Sequence, residues 1–381
     1  MREIFNFLLN IAFKGKNPSK QEIRKAVLSI SDIFTTGEFL SPLNYLKDDP
    51  LLKGYILYFV PVSLAKIESI FLELLKHPIF SSLQDLKILD IGCGPSLAIL
   101  PLFEILKRGQ WHLEHLRYIG IEQEEKAIEV GERLIENFKP EGLSIKYEFI
   151  QSDASDFRTY LDLKAIKPDI VIFSNSLGEL FDKRGIDTDT FLNFIKPFTY
   201  KNPNFTLILI EPGTRKASMR LHQMRDSLIE ELELYPYSPC LNSLPCSALR
   251  ANNWCYEERR WIAPSYLTFL NSLGLQVNYL KFSYVILRKD KVNIKDTFSE
   301  GEGEIIKNTS HLLNEKGKSR LWGCWKGELI DIEKLKRDFS EEEPWLKIRK
   351  GCYFSIDKYI SLSAKKVRIP PDCNIKILFQ P

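Results

Sequence analysis

From Leu86 onward the chain alternates short apolar runs with longer amphipathic ones, and this alternation restricts the fold more than any other feature. The runs LKILDIG, RYIGIE, IKYEFIQSD, PDIVIFSNS and FTLILIEPG are β-rich, most with an apolar centre of four to six residues. That is the pattern of parallel strands covered on both faces. Between them lie helical patterns such as EEKAIEVGERLIENF. The alternation predicts an α/β fold built on a doubly wound sheet.

The flanks read differently. Over residues 1–80, Ile23, Val27, Ile30 and Phe34, then Leu64, Ile67, Ile70, Phe71 and Leu74, recur mostly at helical spacing, which predicts an N-terminal helical region. The sheet domain follows over 81–290, interrupted at 236–260 by a Pro-, Asn-, Ser- and Cys-rich insert. Helical SYLTFLNSL and strand-like LQVNYLKFSYVILRK close the sheet. DKVNIKDTFSEGEGE then reads as a linker, and short runs such as SRLWGCWKGELIDI and KGCYFSI predict a small β-rich C-terminal module, so that 291–381 is linker plus module.

The apolar run GYILYFVPVSLAKI contains Pro61 and reaches Lys66, short of the roughly 20 residues a bilayer requires; no membrane partner is expected. The opening MREIFNFLLNIAFKGKNPSK lacks a small-residue cleavage site and reads as a helix packed on the domain rather than an export signal. Paired disulfides are therefore not expected, and clustered cysteines point to metal or redox chemistry.

ILDIGCGPS carries a strand into a glycine turn and then a helix. Gly92 and Gly94 allow a tight turn and close approach of a ligand. A dinucleotide fingerprint wants a third glycine where Leu97 stands, and Asp90 before the turn suits a cationic or hydroxylated ligand better than a pyrophosphate. Glu122, ending the second strand, suits two ribose hydroxyls; Asp153, after the third, suits an adenine amino group. Over about residues 84–290 this set resembles the class I S-adenosylmethionine-dependent methyltransferases. The resemblance implies S-adenosylmethionine as cofactor, contacted by Asp90, Gly92, Gly94, Glu122 and Asp153. After the fourth strand the chain has SNSLGEL, not the Asn- or Asp-Pro-Pro-aromatic run of base-amino methyltransferases, and no nucleophilic Pro-Cys pair stands there. Asn175, Ser176 and Glu179 remain as catalytic candidates, with Glu179 equally readable as a helix-start carboxylate.

Three of the chain's seven cysteines, Cys240, Cys246 and Cys255, fall within the insert, and Cys324 in RLWGCWKGEL is a fourth candidate. Four thiolates select zinc or an iron–sulfur cluster. The spacings are not those of zinc ribbons or fingers, and all five histidines lie outside the loop; wide spacing on an irregular loop suits a cubane, whose corners lie further apart than the ligands of one zinc ion. Cys93, Cys352 and Cys373 read as packing or structural residues.

EPGTRKASMRLHQMRDSL, the Pro-Cys and following Cys, NWCYEERRW, FSYVILRK and the distant GCWKGEL together resemble the methyltransferase-like proteins of the mitochondrial small ribosomal subunit and their bacterial relatives. This chain has CLNSLPC where the family has a CPHD-like stretch. The resemblance makes Cys240, Cys246, Cys255 and Cys324 ligands of a [4Fe–4S] cluster. It also implies small-subunit ribosomal RNA or a pre-ribosomal particle as partner. The net charge of +3 supplies no general affinity for nucleic acid, but Arg215, Lys216, Arg220, Arg225, Arg259 and Arg260 bracket the cysteine loop as a local patch.

The expectation is thus a monomeric protein that binds S-adenosylmethionine and engages small-subunit RNA, as a methyltransferase or as an assembly factor. Two rivals remain: an RNA-binding assembly protein without catalysis, and a small-molecule or protein methyltransferase with structural zinc. A cytoplasmic location is expected, or a mitochondrial one if the source is eukaryotic.

Overall fold

The computed structural model describes every residue except 36–48, 158–162, 164–165, 274–276, 299–302 and 341. Part of the linker, the start of the LQVNYLKFSYVILRK run and the side chain of Phe34 lie outside the described residues. The chain forms two compact units: one comprises Met1–Leu75, Ser81–Ser176 and Arg260–Leu280, the other Lys76–Phe80, Leu177–Arg259 and Lys281–Pro381.

In the first unit β1 (Asp85–Ile91), β2 (His115–Glu122), β3 (Ser144–Gln151) and β4 (Ile170–Ser174) lie in the order β3-β2-β1-β4, and each neighbouring pair is parallel. All of β4 is buried, and β1 exposes only Asp85 and Lys87, as the continuous apolar runs require. Before the sheet come α1 (Arg2–Phe13), α2 (Lys20–Thr35), α3 (Asp49–Gly54) and α4 (Val60–Leu74), while α5 (Pro78–Ser82) is divided between the units. After β1 and β2 come α6 (Ile99–Lys107) and α7 (Glu125–Phe138). The α7 stripe of Ala127, Val130, Leu134, Ile135 and Phe138 is buried, which is what fixes its face to the unit. In α1 the buried residues are Ile4, Phe5, Leu8 and Ala12, and Phe5 meets Trp261 edge to face.

The apolar run GYILYFVPVSLAKI lies within one longer helical run. A π-helical turn, Tyr55–Phe59, joins α3 to α4, so the helical run extends over the 26 residues Asp49–Leu74. Pro61 has no amide to donate to the Leu57 carbonyl, and its ring crowds that oxygen. The local widening accommodates the ring, and the freed Leu57 carbonyl accepts instead from the Tyr266 hydroxyl at 3.2 Å. With a mean hydropathy of 1.5 this run meets the length and composition of a membrane span, but 61% of its apolar window is buried within the protein, the condition of a core helix.

The second unit holds α8 (Thr188–Thr199), β5 (Thr206–Pro212), α9 (Arg215–Leu232), β6 (Tyr235–Ser238), α10 (Ser247–Arg250), β7 (Glu257–Arg260) and β8 (Tyr279–Arg288). β8 lies between β5 and β6 and is antiparallel to both. Thr214 caps α9 by accepting from the Ala217 amide. The C-terminal strands are β9 (Glu304–Asn308), β10 (Leu313–Glu315), β11 (Lys318–Trp325), β12 (Glu328–Leu335), β13 (Tyr353–Ile356), β14 (Ile360–Ser363), β15 (Lys366–Ile369) and β16 (Ile375–Phe379). They form a second sheet in the order β14-β15-β12-β11-β9-β13-β16, with β10 also on β11. Its core packs Ile306, Leu321, Ile332, Trp345 and Phe354; the Trp345 indole N–H donates to the Ser319 hydroxyl at 2.6 Å, so the ring is buried without an orphaned donor.

β11 decides where the fourth cysteine goes. Its odd positions Ser319, Leu321, Gly323 and Trp325 are buried while Arg320, Trp322 and Cys324 are half-buried on the opposite face, the period of two that a strand imposes. A two-residue turn at Lys326 and Gly327, both at positive φ, then returns the chain as a tight hairpin.

Candidate functional site

In the first unit the residues expected to hold the cofactor stand at the carboxyl ends of adjacent parallel strands, where open α/β sheets bind ligands. Asp90 is the penultimate residue of β1, Glu122 ends β2 opposite Gln151, and Asp153 follows β3. The amides of Gly92 and Cys93 both donate to the Ile121 carbonyl, at 2.9 and 3.0 Å, which folds the glycine turn onto β2. Gly92 has φ +69° and a Cβ there would stand 3.1 Å from Ser176; Gly94 has φ +51° and a Cβ there would stand 3.2 Å from the Tyr55 hydroxyl. Neither position accepts a side chain without strain. The Glu122 carboxylate accepts from the Gly94 amide at 2.9 Å, from Gln123 at 2.9 Å and from Glu124 at 3.0 Å, so three backbone donors fix its orientation. Asp153 accepts from the amide and hydroxyl of Ser155 at 2.9 and 2.6 Å, a local turn that steadies the loop after β3. Cys93 is fully buried in the turn, in keeping with packing.

Asp90 is 1% exposed; its Oδ2 accepts from Tyr118 at 2.9 Å and Ala98 at 3.2 Å, while Oδ1 has no hydrogen-bond partner among the described residues. Burial pushes the Asp90 carboxyl up from 3.8 to about 7, against the two donors and with a small push from Glu122. A raised folded value means that the native state holds a proton the unfolded chain releases. This contribution to stability is complete below the unfolded value and is lost as pH rises through about 7. Asp90→Asn is therefore expected to narrow the gap between Tm at pH 5 and at pH 8; an unchanged gap in paired thermal melts would refute this assignment.

Asn175 and Ser176 follow β4 directly. Asn175 sits at φ +58°, a strained setting for a residue other than glycine, and Ser176 Oγ donates to the Ile91 carbonyl at 3.4 Å. Both belong to the first unit with the glycine turn. Glu179 belongs to the second unit and is ion-paired with Lys183 at 3.1 Å in a π-helical turn, Glu179–Lys183. Nearby, Glu211, a residue the sequence reading passed over, accepts from the Leu177 amide at 3.0 Å and is 2% exposed.

The second unit gathers all four candidate cysteines around one cavity of about 100 Å³, partly open to solvent. Cys240, Cys246 and Cys255 come from the insert and Cys324 from β11, with Lys307 and Trp322 also in the wall. The module is fastened to the insert by protein contacts: Tyr353 donates to the Pro239 carbonyl at 3.4 Å, Arg250 pairs with Glu328 at 2.9 Å, and Ser247 Oγ lies 3.4 Å from Cys324 Sγ. Burial raises the Cys324 thiol and, helped by the charge of Cys240, pushes Cys246 up to about 12; burial and then Cys246 raise Cys255. Among the described residues, no three His, Cys, Asp or Glu side chains are grouped as one metal ion would require. Four thiols lining one cavity are the donor type that either zinc or an iron–sulfur cluster takes.

The six expected cations do not form one surface patch. Arg225 is 1% exposed and its guanidinium donates to the Leu244 and Asn242 carbonyls at 2.6 and 2.5 Å. Arg259 is 2% exposed, 3.4 Å from Glu257 and donating to Tyr284 at 2.9 Å. Glu257, fully buried and held below the usual carboxylate range by Lys307 and Arg259 against its burial, is what draws Arg259 inward. Neither arginine reaches a phosphate. Arg220 forks onto Asp182 at 2.6 and 2.7 Å, and Lys216 reaches the same carboxylate at 2.8 Å. Arg215 covers Trp254 and donates to Asn252 at 3.0 Å. Arg260 is exposed and donates to Tyr279 at 3.2 Å. Sequence reasoning missed His222, buried in the cavity wall with Nε2 3.3 Å from the Cys255 carbonyl; its signal was its place three residues before Arg225 on one helix.

The parallel strand order, the acid-flanked glycine turn and the antiparallel β8 define a class I methyltransferase, Rossmann-like α/β fold with an N-terminal helical region, a cysteine-bearing insert and a β-rich C-terminal module. The family model described as Mitochondrial small ribosomal subunit Rsm22 matches residues 53–311, and the chain belongs to that family. A comparison with curated proteins finds no match. Among solved structures, an rRNA methylase from Streptococcus thermophilus is similar at 11% identity and TM-score 0.29, covering 58% of this chain and 95% of that one. A precorrin-6y C5,15-methyltransferase from Geobacter metallireducens is similar at 13% identity and TM-score 0.32, covering 59% and 84%. A SAM-dependent methyltransferase from Agrobacterium tumefaciens is similar at 18% identity and TM-score 0.29, covering 42% and 48%.

Proposed function

We propose that this protein binds S-adenosylmethionine at the glycine turn, acts on or with small-subunit ribosomal RNA, and holds a [4Fe–4S] cluster on Cys240, Cys246, Cys255 and Cys324. The observation that carries the reading is the family match over residues 53–311, joined to a turn with two positive-φ glycines. Asp90, Gly92, Gly94, Glu122 and Asp153 would hold the cofactor, with the oriented Glu122 carboxylate available to hydroxyls. When bound, the sulfonium supplies an already activated methyl group. Asn175 and Ser176, beside the turn, would then position an attacking base nitrogen or carbon rather than activate the electrophile.

The cluster reading is supported by four thiols lining one cavity; Cys240, Cys246 and Cys255 lie within the matched residues 53–311, and Cys324 lies beyond them. The RNA contact rests on Arg215, Lys216 and Arg260, the exposed members of the six cations. The family's description supports the mitochondrial alternative for location. Incubation of small-subunit particles with the protein and methyl-labelled S-adenosylmethionine tests the reading. Label in the RNA supports a methyltransferase; particle binding without label supports an assembly factor that retains the pocket; neither binding nor label overturns the proposal.

A further inference from the structure

Helix α9 turns a polar stripe inward. Ser218, His222 and Arg225, spaced four and three apart, are all 1% exposed or less, and the last two stand in the wall of the cysteine cavity. Arg225 is tied on one side to the ligand loop itself: the carbonyls it binds, Asn242 and Leu244, lie between Cys240 and Cys246. It also pairs with Asp226, whose carboxylate in turn accepts from the Cys246 amide at 3.0 Å. Its Nε–H has no partner among the described residues. A buried guanidinium with an unsatisfied donor is costly unless the cavity it lines holds negative charge.

We infer that Arg225 is a positioning residue that sets the reduction potential of the group held by the four cysteines; this deepens the cluster reading above and rests on it. Four thiolates around a cubane leave an anion, and adding one electron makes it more negative. A fixed positive charge in the wall favours the reduced state and so raises the potential. Asp226 opposes this, but its side chain is 26% exposed against 2% for Arg225, so water screens the carboxylate more than the guanidinium and the positive charge dominates. Its hydrogen bonds to the Asn242 and Leu244 carbonyls of the ligand loop mean that its charge cannot be moved away without moving the cysteines.

The test uses the full chain purified anaerobically, titrated with dithionite as one-electron reductant, and followed by electron paramagnetic resonance. Arg225→Gln keeps a hydrogen-bonding side chain without the charge; Arg225→Lys keeps the charge without the fork. At fixed solution potential, Arg225→Gln is expected to lower the reduced-to-oxidised ratio about tenfold, equivalent to 59 mV for one electron, while Arg225→Lys stays close to wild type. Iron-loaded Arg225→Gln with the wild-type potential overturns the inference alone. If Arg225→Gln does not hold iron, Arg225→Lys decides: iron kept at the wild-type potential supports the role of charge, and iron lost from both overturns it in favour of a loop clamp. Wild-type protein without iron overturns the cluster reading, and this inference with it.

Discussion

Cys324→Ser is expected to reduce the iron of anaerobically purified protein from about four per chain to near zero. Cys324 is the only one of the four cysteines that comes from the C-terminal sheet, on the face of β11 opposite its core. A serine hydroxyl is neither soft nor ionised at neutral pH, so it does not replace a thiolate ligand. Because metal binding contributes directly to folding free energy, the loss should also lower the Tm of the loaded protein. The module should nevertheless remain folded. The Glu257–Lys307 pair at 3.2 Å and the Tyr353–Pro239 hydrogen bond at 3.4 Å hold it to the insert without any metal. Apo wild type and Cys324→Ser should therefore melt together. Cys352, buried in the module core with its thiol donating to the Tyr353 carbonyl at 3.3 Å, is the control: Cys352→Ser should keep its iron. Full iron in Cys324→Ser would remove that residue from the ligand set.

Glu122→Gln is expected to weaken S-adenosylmethionine binding about a hundredfold, read by titration calorimetry. Two hydrogen bonds from hydroxyls to a charged acceptor contribute roughly 1.5 kcal/mol or more each, and a factor of a hundred corresponds to about 2.8 kcal/mol. The substitution also turns an amide NH₂ toward one of the backbone donors of Gly94, Gln123 and Glu124, which now converge on a carboxylate. The turn's geometry depends on the main-chain bonds to Ile121, so the variant should fold. An unchanged affinity would mean that the cofactor, if bound, is not held through Glu122.

The strand ends were readable because burial on both faces leaves continuous apolar runs, and the glycine turn because positive φ and close neighbours together disfavour a side chain at 92 and 94. The cation patch was misread for a physical reason. Charge alone does not say which face a residue occupies, yet the periodicity does: Arg225 lies on the α9 stripe with Leu221, Leu228 and Leu232, all buried. Likewise the period of two in β7 sends Glu257 and Arg259 inward. Nothing in GYILYFVPV tells that a π-helical turn will precede Pro61 or that Tyr266, more than 200 positions later, will take the released Leu57 carbonyl at 3.2 Å. The convergence of Cys324 on the insert was inferred from the family pattern. Its structural basis is the pairing of β11 within a sheet whose register no local signal fixes.

The most direct test of the account is the visible spectrum and the iron, sulfide and zinc content of wild-type protein purified without oxygen. A brown protein with about four irons and four sulfides per chain is the predicted result; a colourless protein with zinc or with no metal would contradict it.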